Sequence, residues 1–151
     1  MSTKLKLPLK GVAGSLYLSL GSNLGDREEM LNRAIALIGE RIGAVQRVSS
    51  FIETEPWGFE SKHPFLNAAC LVQTELSPME CLEVTQQIER ELGRKRKSKN
   101  GKYHDRPIDI DLLMYDDLTL STPRLTLPHP RMKERDFVMI PLREILPSKE
   151  E

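Results

Sequence analysis

Two aspartates, Asp109 and Asp111, are the residues of this chain best suited to chemistry. They fall in the apolar run 108–115, I-D-I-D-L-L-M-Y. If this run is a β-strand, its two-residue period turns both carboxylates to one face of a sheet. Carboxylates held this close repel each other unless a cation lies between them, and Mg²⁺ commonly binds one or two carboxylates together with phosphate oxygens. The pair therefore predicts a metal site, and the opposite face of the strand would hold the core residues Ile108, Ile110, Leu112 and Met114.

A basic, glycine-containing loop precedes the aspartates. Eight of the 22 lysines and arginines of the chain lie between Arg90 and Arg106. Arginine suits phosphate groups because its planar head makes forked contacts with them. The residues that could hold nucleotide phosphates here are Arg94, Arg96, Lys97 and Arg106. Taken alone, the aspartates could be a solvated edge pair and the basic run a solvated loop, but their adjacency favours metal-assisted phosphoryl-type transfer.

Composition and charge limit the classes of protein that the chain could represent. At 151 residues, it is long enough for one domain with a real core, which we place at residues 15–147 between tails at 1–14 and 148–151. The 22 basic residues balance 22 acidic ones, which argues against a protein that coats nucleic acid or anionic membrane. No stretch of about 18 apolar residues and no secretory signal is visible, so we expect a cytoplasmic protein. Cys70 and Cys81 form no C-x-x-C pair and are expected to be reduced, buried thiols.

Two helices are predicted by their capping residues. Asp26 is a typical N-cap, with Glu29 completing a capping box, and this helix should end at Gly43. Ser77, Pro78 and Glu80 begin the second helix, which should end at Gly93. The predicted apolar stripes are Leu31, Ala34, Ile35, Ile38 and Ile42 in the first helix and Cys81, Thr85, Ile88 and Leu92 in the second.

Strands are predicted at 15–22, 45–54, 65–76 and 108–115, where alternating or β-branched residues are concentrated. Prolines restrict residues 124–127 to a short edge strand, and Pro141 should break any helix within 132–144. The order β-α-β-β-α-β predicts an α+β fold of the ferredoxin-like type. Its mainly antiparallel sheet would carry helices on one face and the active site on the other.

Several residues allow two interpretations. The G-S-N run at 21–23 could be a phosphate loop, but it matches no phosphate-loop motif and Asp26 lies where an anion would bind, so a structural turn is favoured. Trp57 and Phe59 could contact a planar ligand or fill the core. Asn67, in a mostly buried strand, must be hydrogen-bonded to backbone or to ligand. Gln86 and Glu89 are expected to share a more exposed face of the second helix.

Six segments, taken together, resemble the hydroxymethyldihydropterin pyrophosphokinases of folate biosynthesis. In order they are L-S-L-G-S-N-L-G-D, E-T-E-P-W-G, F-L-N-A-A, E-L-G-R-K-R, R-P-I-D-I-D-L-L and L-P-H-P-R-M-K-E-R-D-F-V. The resemblance extends from Ser15 to Pro147. It implies a ferredoxin-like fold and a Mg²⁺-dependent transfer of pyrophosphate from ATP to 6-hydroxymethyl-7,8-dihydropterin, which releases AMP.

The resemblance also implies roles for individual residues. Asp109 and Asp111 would bind two Mg²⁺ ions, and Arg94 and Arg106 would contact the transferred phosphates. The implied ATP-binding residues are Gln86, Arg96, Leu112, Arg124, Thr126, His129 and Arg135. The implied pterin-binding residues are Thr54, Glu55, Trp57, Phe65, Asn67 and Phe137. Partners would be these two small molecules, without nucleic acid or membrane, and the protein would be a monomer or a weak homodimer.

Two other classes of protein fit parts of the pattern. A ferredoxin-like fold with a basic loop could bind RNA, but an RNA-binding sheet normally displays aromatic residues where this chain has carboxylates. A sensor that binds nucleotide without converting it would share the same residues. AMP formation would distinguish an enzyme from both alternatives.

Overall fold

The computed structural model describes residues 13–54, 64–93 and 107–147, and every structural statement below concerns these residues. They form a layered α+β structure around one large antiparallel sheet. The strands are β1 (Gly14–Ser22), β2 (Gly43–Val48), β3 (Ile52–Thr54), β4 (Phe65–Thr74), β5 (Asp109–Tyr115), β6 (Leu120–Ser121) and β7 (Thr126–Leu127). The helices are α1 (Arg27–Arg41), α2 (Pro78–Glu91) and α3 (Asp136–Ile145), and a 3₁₀ turn spans Met132–Glu134.

The large sheet has β1 at its centre. Its strand order is β2-β4-β1-β5, β3 pairs with β4 beyond the end of β2, and every pairing is antiparallel. β6 and β7 form a separate two-stranded hairpin. This order confirms the predicted ferredoxin-like fold and its mainly antiparallel sheet.

Helices α1 and α2 cover one face of the sheet and enclose the main core. Both predicted N-caps form: the Asp26 carboxylate accepts the Glu29 N–H. At α2 the capping box between Ser77 and Glu80 is complete in both directions. Most residues of the predicted stripes are fully or almost fully buried: Leu31, Ala34, Ile38, Ile42, Cys81, Thr85, Ile88 and Leu92. Burial of such stripes stabilises helices more than propensity does.

A β-bulge in β5 changes the face to which its last residues point. Leu18 pairs with Leu112, whereas Tyr17 pairs with Met114, so Leu113 is an extra residue in β5. Ile108, Ile110 and Leu112 face the main core as predicted, but Met114 packs with a second apolar cluster on the opposite face. The prediction that Met114 faces the main core was wrong, because the extra residue reverses the alternation.

Ser49 divides the predicted strand 45–54 into β2 and β3. Its N–H donates to the Ala69 carbonyl at 2.9 Å, as in a regular ladder. Its hydroxyl, rather than a backbone carbonyl, accepts the Ala69 N–H at 2.9 Å. The side chain thus replaces a backbone acceptor, and the strand is interrupted between Val48 and Ile52.

A third helix covers part of the sheet face opposite α1 and α2, which we call the site face. α3 is continuous through Pro141, so the predicted break there was wrong. Pro141 is buried, and the burial of one side of α3 offsets the single backbone hydrogen bond that a proline removes. The second cluster, between α3 and the sheet, consists of Ala69, Leu71, Leu113, Met132, Val138, Leu142 and Ile145.

Both cysteines are buried free thiols, as expected. Burial raises the pKa of Cys70 and that of Cys81 to about 12, which keeps both thiols protonated at neutral pH. None of the helices in the described ranges has both the length and the apolar character that crossing a membrane requires.

We expect Gly43→Ala to destabilise the fold by about 3 kcal/mol, because a Cβ at this position would overlap the Gln73 carbonyl of β4. Gly39→Ala is the matched control. Its new methyl group would lie at an ordinary 3.7 Å from Val45, and it replaces a glycine inside α1, so it should stabilise by up to about 1 kcal/mol. Urea unfolding of both variants measures the difference, and equal stabilities would contradict the proposed overlap.

Candidate active site

The site face brings the predicted metal ligands and the predicted pterin-binding residues onto neighbouring strands. Asp109 of β5 lies opposite Gly21 of β1, which in turn lies opposite Asn67 of β4. Asp111 lies opposite Ser19 in the same way. Both aspartates are half-buried and point away from the main core, so the predicted orientation of the carboxylate pair is confirmed.

Gly21 forms the floor between Asp109 and Asn67. It belongs to β1 rather than to the predicted turn, which begins later, around Gly25 at φ +68°. A Cβ on Gly21 would lie 3.1 Å from the Asn67 Oδ1 and 3.5 Å from the Phe65 ring. The missing side chain therefore leaves room beside the Asn67 amide and the Phe65 ring, and we call this place the depression over Gly21.

The Asn67 amide is fixed in one orientation. Its Nδ2 donates to the Thr54 hydroxyl at 2.7 Å and, more weakly, to the Ile52 carbonyl at 3.4 Å. Since a carbonyl oxygen only accepts hydrogen bonds, the nitrogen must face β3 and Oδ1 must face the depression over Gly21. Asn67 is thus hydrogen-bonded within the protein, to a side chain and to a backbone carbonyl. Contact of its oxygen with a ligand stays a prediction.

Two aromatic side chains lie on the site face, Phe65 beside this depression and Phe137 against the second cluster. Phe65 begins β4 on the same face as Asn67. Phe137 lies in the first turn of α3 and packs against the second cluster. The Arg135 guanidinium lies over the Phe137 ring, with its Cζ 5.7 Å from the ring centre. Both rings are only partly buried, which leaves surface for contact with a ligand.

His129 is held in place from two sides. Its backbone N–H donates to the Leu113 carbonyl at 2.8 Å, and its ring Nδ1 accepts the backbone N–H of Arg131 at 3.1 Å. Burial lowers the pKa of His129, as do the positive charges of Arg135 and Arg131, while the Asp109 carboxylate acts in the opposite direction. The imidazole is therefore neutral at pH 7, and its proton sits on Nε2, where it can be donated to an anion.

The remaining nucleotide-side residues lie around the β6–β7 hairpin and the exposed face of α2. Thr126 is an exposed residue of β7, and Gln86 is exposed on α2. Arg124, in the hairpin, is 3.7 Å from Glu83, which precedes Gln86 by one helical turn. The hairpin and this part of α2 are thus neighbours, although the surface ion pair itself contributes little stability.

Leu112 differs from the other predicted ATP-binding residues. Its side chain is buried in the main core, on the far side of the sheet from the aspartates. Its backbone lies on the outer edge of β5, and the alternation that turns the Ile110 N–H outward also turns the Leu112 N–H outward. A nucleotide could be contacted by this backbone and not by the side chain.

Glu89 is a residue of the site region that sequence reasoning placed wrongly. We expected it on an exposed face of α2, but it is only 7% exposed. Its Oε2 accepts the Ile110 N–H at 2.7 Å, at the residue between the two aspartates. The helical period could not reveal this contact, because it depends on where the edge of β5 lies beside α2.

Several predicted residues fall outside the described ranges. They are Arg94, Arg96, Lys97 and Arg106 of the basic loop, and Glu55 and Trp57 between β3 and β4. Their roles stay predictions. Within the described ranges, Gly93 has φ +118°, a backbone conformation that favours glycine where α2 ends and the basic loop begins.

The carboxylate pair suits a metal that is completed by a ligand rather than by protein alone. Among the described residues, no group of three or more histidine, cysteine or acidic side chains could enclose a metal ion. Two half-buried carboxylates on one strand face provide hard oxygen donors. This is the incomplete set that Mg²⁺ accepts when phosphate oxygens and water supply its other positions.

The chain is thus a ferredoxin-like α+β protein that presents a carboxylate pair and an oriented amide on one face of its sheet. The family model described as 7,8-dihydro-6-hydroxymethylpterin-pyrophosphokinase matches residues 17–147 of the chain. This match covers most of the sequence and confirms the resemblance seen in the six segments. The chain belongs to the 7,8-dihydro-6-hydroxymethylpterin-pyrophosphokinase family.

Curated relatives agree with this assignment. The 2-amino-4-hydroxy-6-hydroxymethyldihydropteridine pyrophosphokinase of Porphyromonas gingivalis is 54% identical over 133 residues, which cover 87% of this chain and 90% of that protein. The protein of the same name from Bacillus subtilis is 48% identical over 130 residues, which cover 85% of this chain and 76% of that one.

Solved structures of lower identity share the fold. An HPPK-DHPS in complex with substrates aligns with a TM-score of 0.69 at 16% identity. Wild-type HPPK-DHPS of Plasmodium falciparum with pterin and p-hydroxybenzoate aligns with a TM-score of 0.67, also at 16% identity. Each alignment covers 89% of this chain but 40% of the longer one. These likenesses support the ferredoxin-like architecture of the chain.

We expect His129 to titrate below its ordinary pKa of 6.5, and we expect Asp109→Asn to lower its pKa further. The reason is that Asp109 is a negative charge that favours the imidazolium, so removing it leaves burial and the two arginines unopposed. Titration of the histidine ring protons by NMR measures both values. Asp117→Asn, which changes an exposed turn residue, is the control, and a higher pKa in Asp109→Asn would contradict the arrangement.

A second prediction concerns Glu89. Replacing it with alanine leaves the buried Ile110 N–H without its acceptor, which should cost about 1 to 3 kcal/mol of stability. Glu89→Gln keeps an oxygen acceptor and should lose less. Glu83→Ala, an exposed glutamate of the same helix, should be nearly neutral. Denaturation combined with hydrogen exchange at Ile110 tests this, and an unchanged exchange rate in Glu89→Ala would refute the role.

Proposed function

We propose that this chain transfers pyrophosphate from ATP to 6-hydroxymethyl-7,8-dihydropterin in a Mg²⁺-dependent reaction that yields the pterin diphosphate and AMP. The observation that carries the proposal is the row Asp109, Gly21 and Asn67 on adjacent strands. In this row, the two carboxylates lie beside the depression over Gly21, and the Asn67 Oδ1 points toward that depression. Membership of the pyrophosphokinase family and the names of the relatives support the same reaction.

The pterin would lie over Gly21 between the aromatic side chains. A pterin presents N–H donors along one edge, and the Asn67 Oδ1 is the acceptor turned toward this depression. Thr54 holds the amide and thereby sets the direction of that acceptor. Phe65 and Phe137 offer ring faces for stacking on a flat heterocycle.

The nucleotide would lie along β5 toward the β6–β7 hairpin. Neutral His129 would donate its Nε2 proton to a phosphate oxygen, and Arg135 would add a positive charge beside it. Gln86, Arg124 and Thr126 would contact the nucleoside part, together with the backbone of Leu112. Arg94, Arg96 and Arg106, outside the described ranges, would complete the phosphate contacts.

Asp109 and Asp111 would hold two Mg²⁺ ions. When bound, the ions neutralise charge on the phosphates and favour attack by the hydroxyl group. The protein's own contribution is largely positional: the register between β1 and β5 aims both carboxylates at the same side, and the Glu89 contact fixes the backbone between them. Such preorganisation lowers the cost of reaching the transition state.

The bond changes of the proposed reaction are simple. The oxygen of the pterin hydroxymethyl group forms a bond to the β-phosphorus of ATP, and the bond from that phosphorus to the α,β-bridging oxygen breaks. AMP leaves with the bridging oxygen, and the hydroxyl proton passes to Asp111 or to water. The proposal also retains the expectation of a cytoplasmic monomer or weak homodimer that acts on small molecules, without nucleic acid or membrane.

Replacing Asp109 with alanine should lower turnover by a factor on the order of 10³, because one of the two carboxylates that hold the metal is lost. The assay follows AMP formation from ATP and the hydroxymethyl pterin, with and without Mg²⁺, and with pterin omitted. Asp117→Ala, at an exposed turn position, should retain wild-type activity.

The result distinguishes the proposal from its rivals. Wild-type protein that binds ATP but forms no AMP would be a nucleotide sensor, and the proposed reaction would be wrong. Near-normal turnover in Asp109→Ala would exclude the metal role of the pair. A folded variant is confirmed by circular dichroism, since Asp109 is half-buried and lies outside the main core.

A further inference from the structure

Arg27 connects α1 to two strands on the side of the sheet opposite the site face. It is the first residue of α1, and its side chain is 30% exposed. Its Nη1 donates to the Pro64 carbonyl at 2.9 Å and lies 2.8 Å from the Glu53 Oε2. Since one guanidinium nitrogen carries two protons, both contacts can form at once.

The two partners of Arg27 lie where the pairing of β3 with β4 ends. Glu53 is the middle residue of β3, and Pro64 immediately precedes β4. The last pair of this ladder is Thr54 with Phe65. β3 has three residues and makes three backbone pairs with β4, and so short a ladder depends on side-chain support. Arg27 supplies such support at the open end.

Because side chains alternate along β3, the contact with Arg27 and the candidate site lie on opposite faces of the sheet. Ile52 pairs with Asn67 and lies on the site face, and Thr54 follows on the same face. Glu53 therefore points to the opposite face, where α1 begins. Arg27 acts through β3 and makes no contact with the Asn67 amide or with the depression over Gly21.

The position of Arg27 is unfavourable by local rules. The N-terminus of a helix carries a partial positive charge, so a cation there is destabilising. Asp26, Glu28 and Glu29 surround it with the acids that such a terminus prefers. A residue that breaks a local preference usually makes a compensating contact elsewhere, and the contacts to Glu53 and Pro64 are that compensation.

We propose that Arg27 is a positioning residue for the pterin side of the site. By tying β3 and the start of β4 to α1, it keeps Thr54 and Phe65 in register, and Thr54 in turn orients the Asn67 amide. The inference rests on the proposed function for its substrate, but the contacts themselves do not. The aspartates and the nucleotide side lie on other elements and are not held by Arg27.

The contacts of Arg27 with Glu53 and Pro64 form a clamp on the end of the β3–β4 ladder. Loss of this clamp should weaken the binding of pterin without weakening that of ATP. In Arg27→Ala the end of the β3–β4 ladder would occupy more conformations, and the ligand would have to select the ordered one, which lowers its apparent affinity. We expect KM for the hydroxymethyl pterin to rise about tenfold. KM for ATP and kcat should stay within about twofold, because the groups that hold the nucleotide are unaffected.

Arg41→Ala is the matched control. Arg41 is in the last turn of the same helix, is 33% exposed, and forms an equally short ion pair with Glu91, at 2.7 Å. Losing it should cost similar stability without changing either KM. Arg27→Lys, which keeps the charge but not the planar guanidinium, should recover part of the pterin affinity. Glu53→Ala and the double variant with Arg27→Ala complete a mutant cycle in which the two effects on pterin KM are less than additive.

Hydrogen exchange provides a readout that needs no substrate. Backbone amides of the β3–β4 ladder should exchange faster in Arg27→Ala than in the wild type, and Arg41→Ala should leave them unchanged. Exchange along β1 and β5 should be the same in all three proteins. Faster exchange throughout the sheet would show a general loss of stability and would overturn a local clamp.

The outcomes separate this inference from the proposed function. If the wild type forms AMP and Arg27→Ala shows an unchanged pterin KM, the positioning role is wrong and the proposed function stands. If the wild type forms no AMP, the proposed function fails, and unchanged ladder exchange in Arg27→Ala would overturn the clamp as well. A rise in the KM for pterin but not for ATP, together with faster amide exchange confined to the β3–β4 ladder, establishes the role.

Discussion

The backbone hydrogen bonds that β1 makes on both sides determine which side chains meet on the site face. Because side chains alternate along a strand, a slip of one residue against β5 would turn both aspartates into the apolar core. A slip of one residue between β1 and β4 would likewise turn Asn67 into the apolar core. The apolar residues Leu16, Leu18 and Leu20, all fully or almost fully buried, fix this register, so the core and the site are consequences of one pairing.

Local chemistry was sufficient to predict most of the fold. The Ser77, Pro78 and Glu80 cap identified α2 because it satisfies backbone groups within a few residues, and such contacts are visible in sequence. The orientation of Asp109 and Asp111 followed from the strand period for the same reason. The Leu113 bulge was missed, since it is defined by the pairing with β1 and not by β5 alone.

The sequence predicted that the two acids of the candidate site share one face of the sheet, but it did not predict the residues that surround and support them. Glu89 looked like a surface residue because helical periodicity says nothing about which backbone group lies beside the helix. Gly21 looked like a turn residue because its missing side chain matters only once Asn67 lies next to it. The extent of α3 depended on the second cluster, whose members come from two strands and two helical segments. Two contacts hold the C-terminal end of α3 against β2 and the loop after it. Arg47 donates to the Ile145 carbonyl at 3.0 Å, and Glu144 accepts hydrogen bonds from Ser50.

The two buried thiols have a practical consequence. Cys70 and Cys81 are the only cysteines in the sequence, and both are enclosed by the main core and protonated at neutral pH. Thiolate is the species that attacks maleimides and disulfides, so the folded native protein is nearly inert to these reagents. A single cysteine introduced on the surface would therefore accept a spectroscopic label selectively, without prior removal of the natural ones.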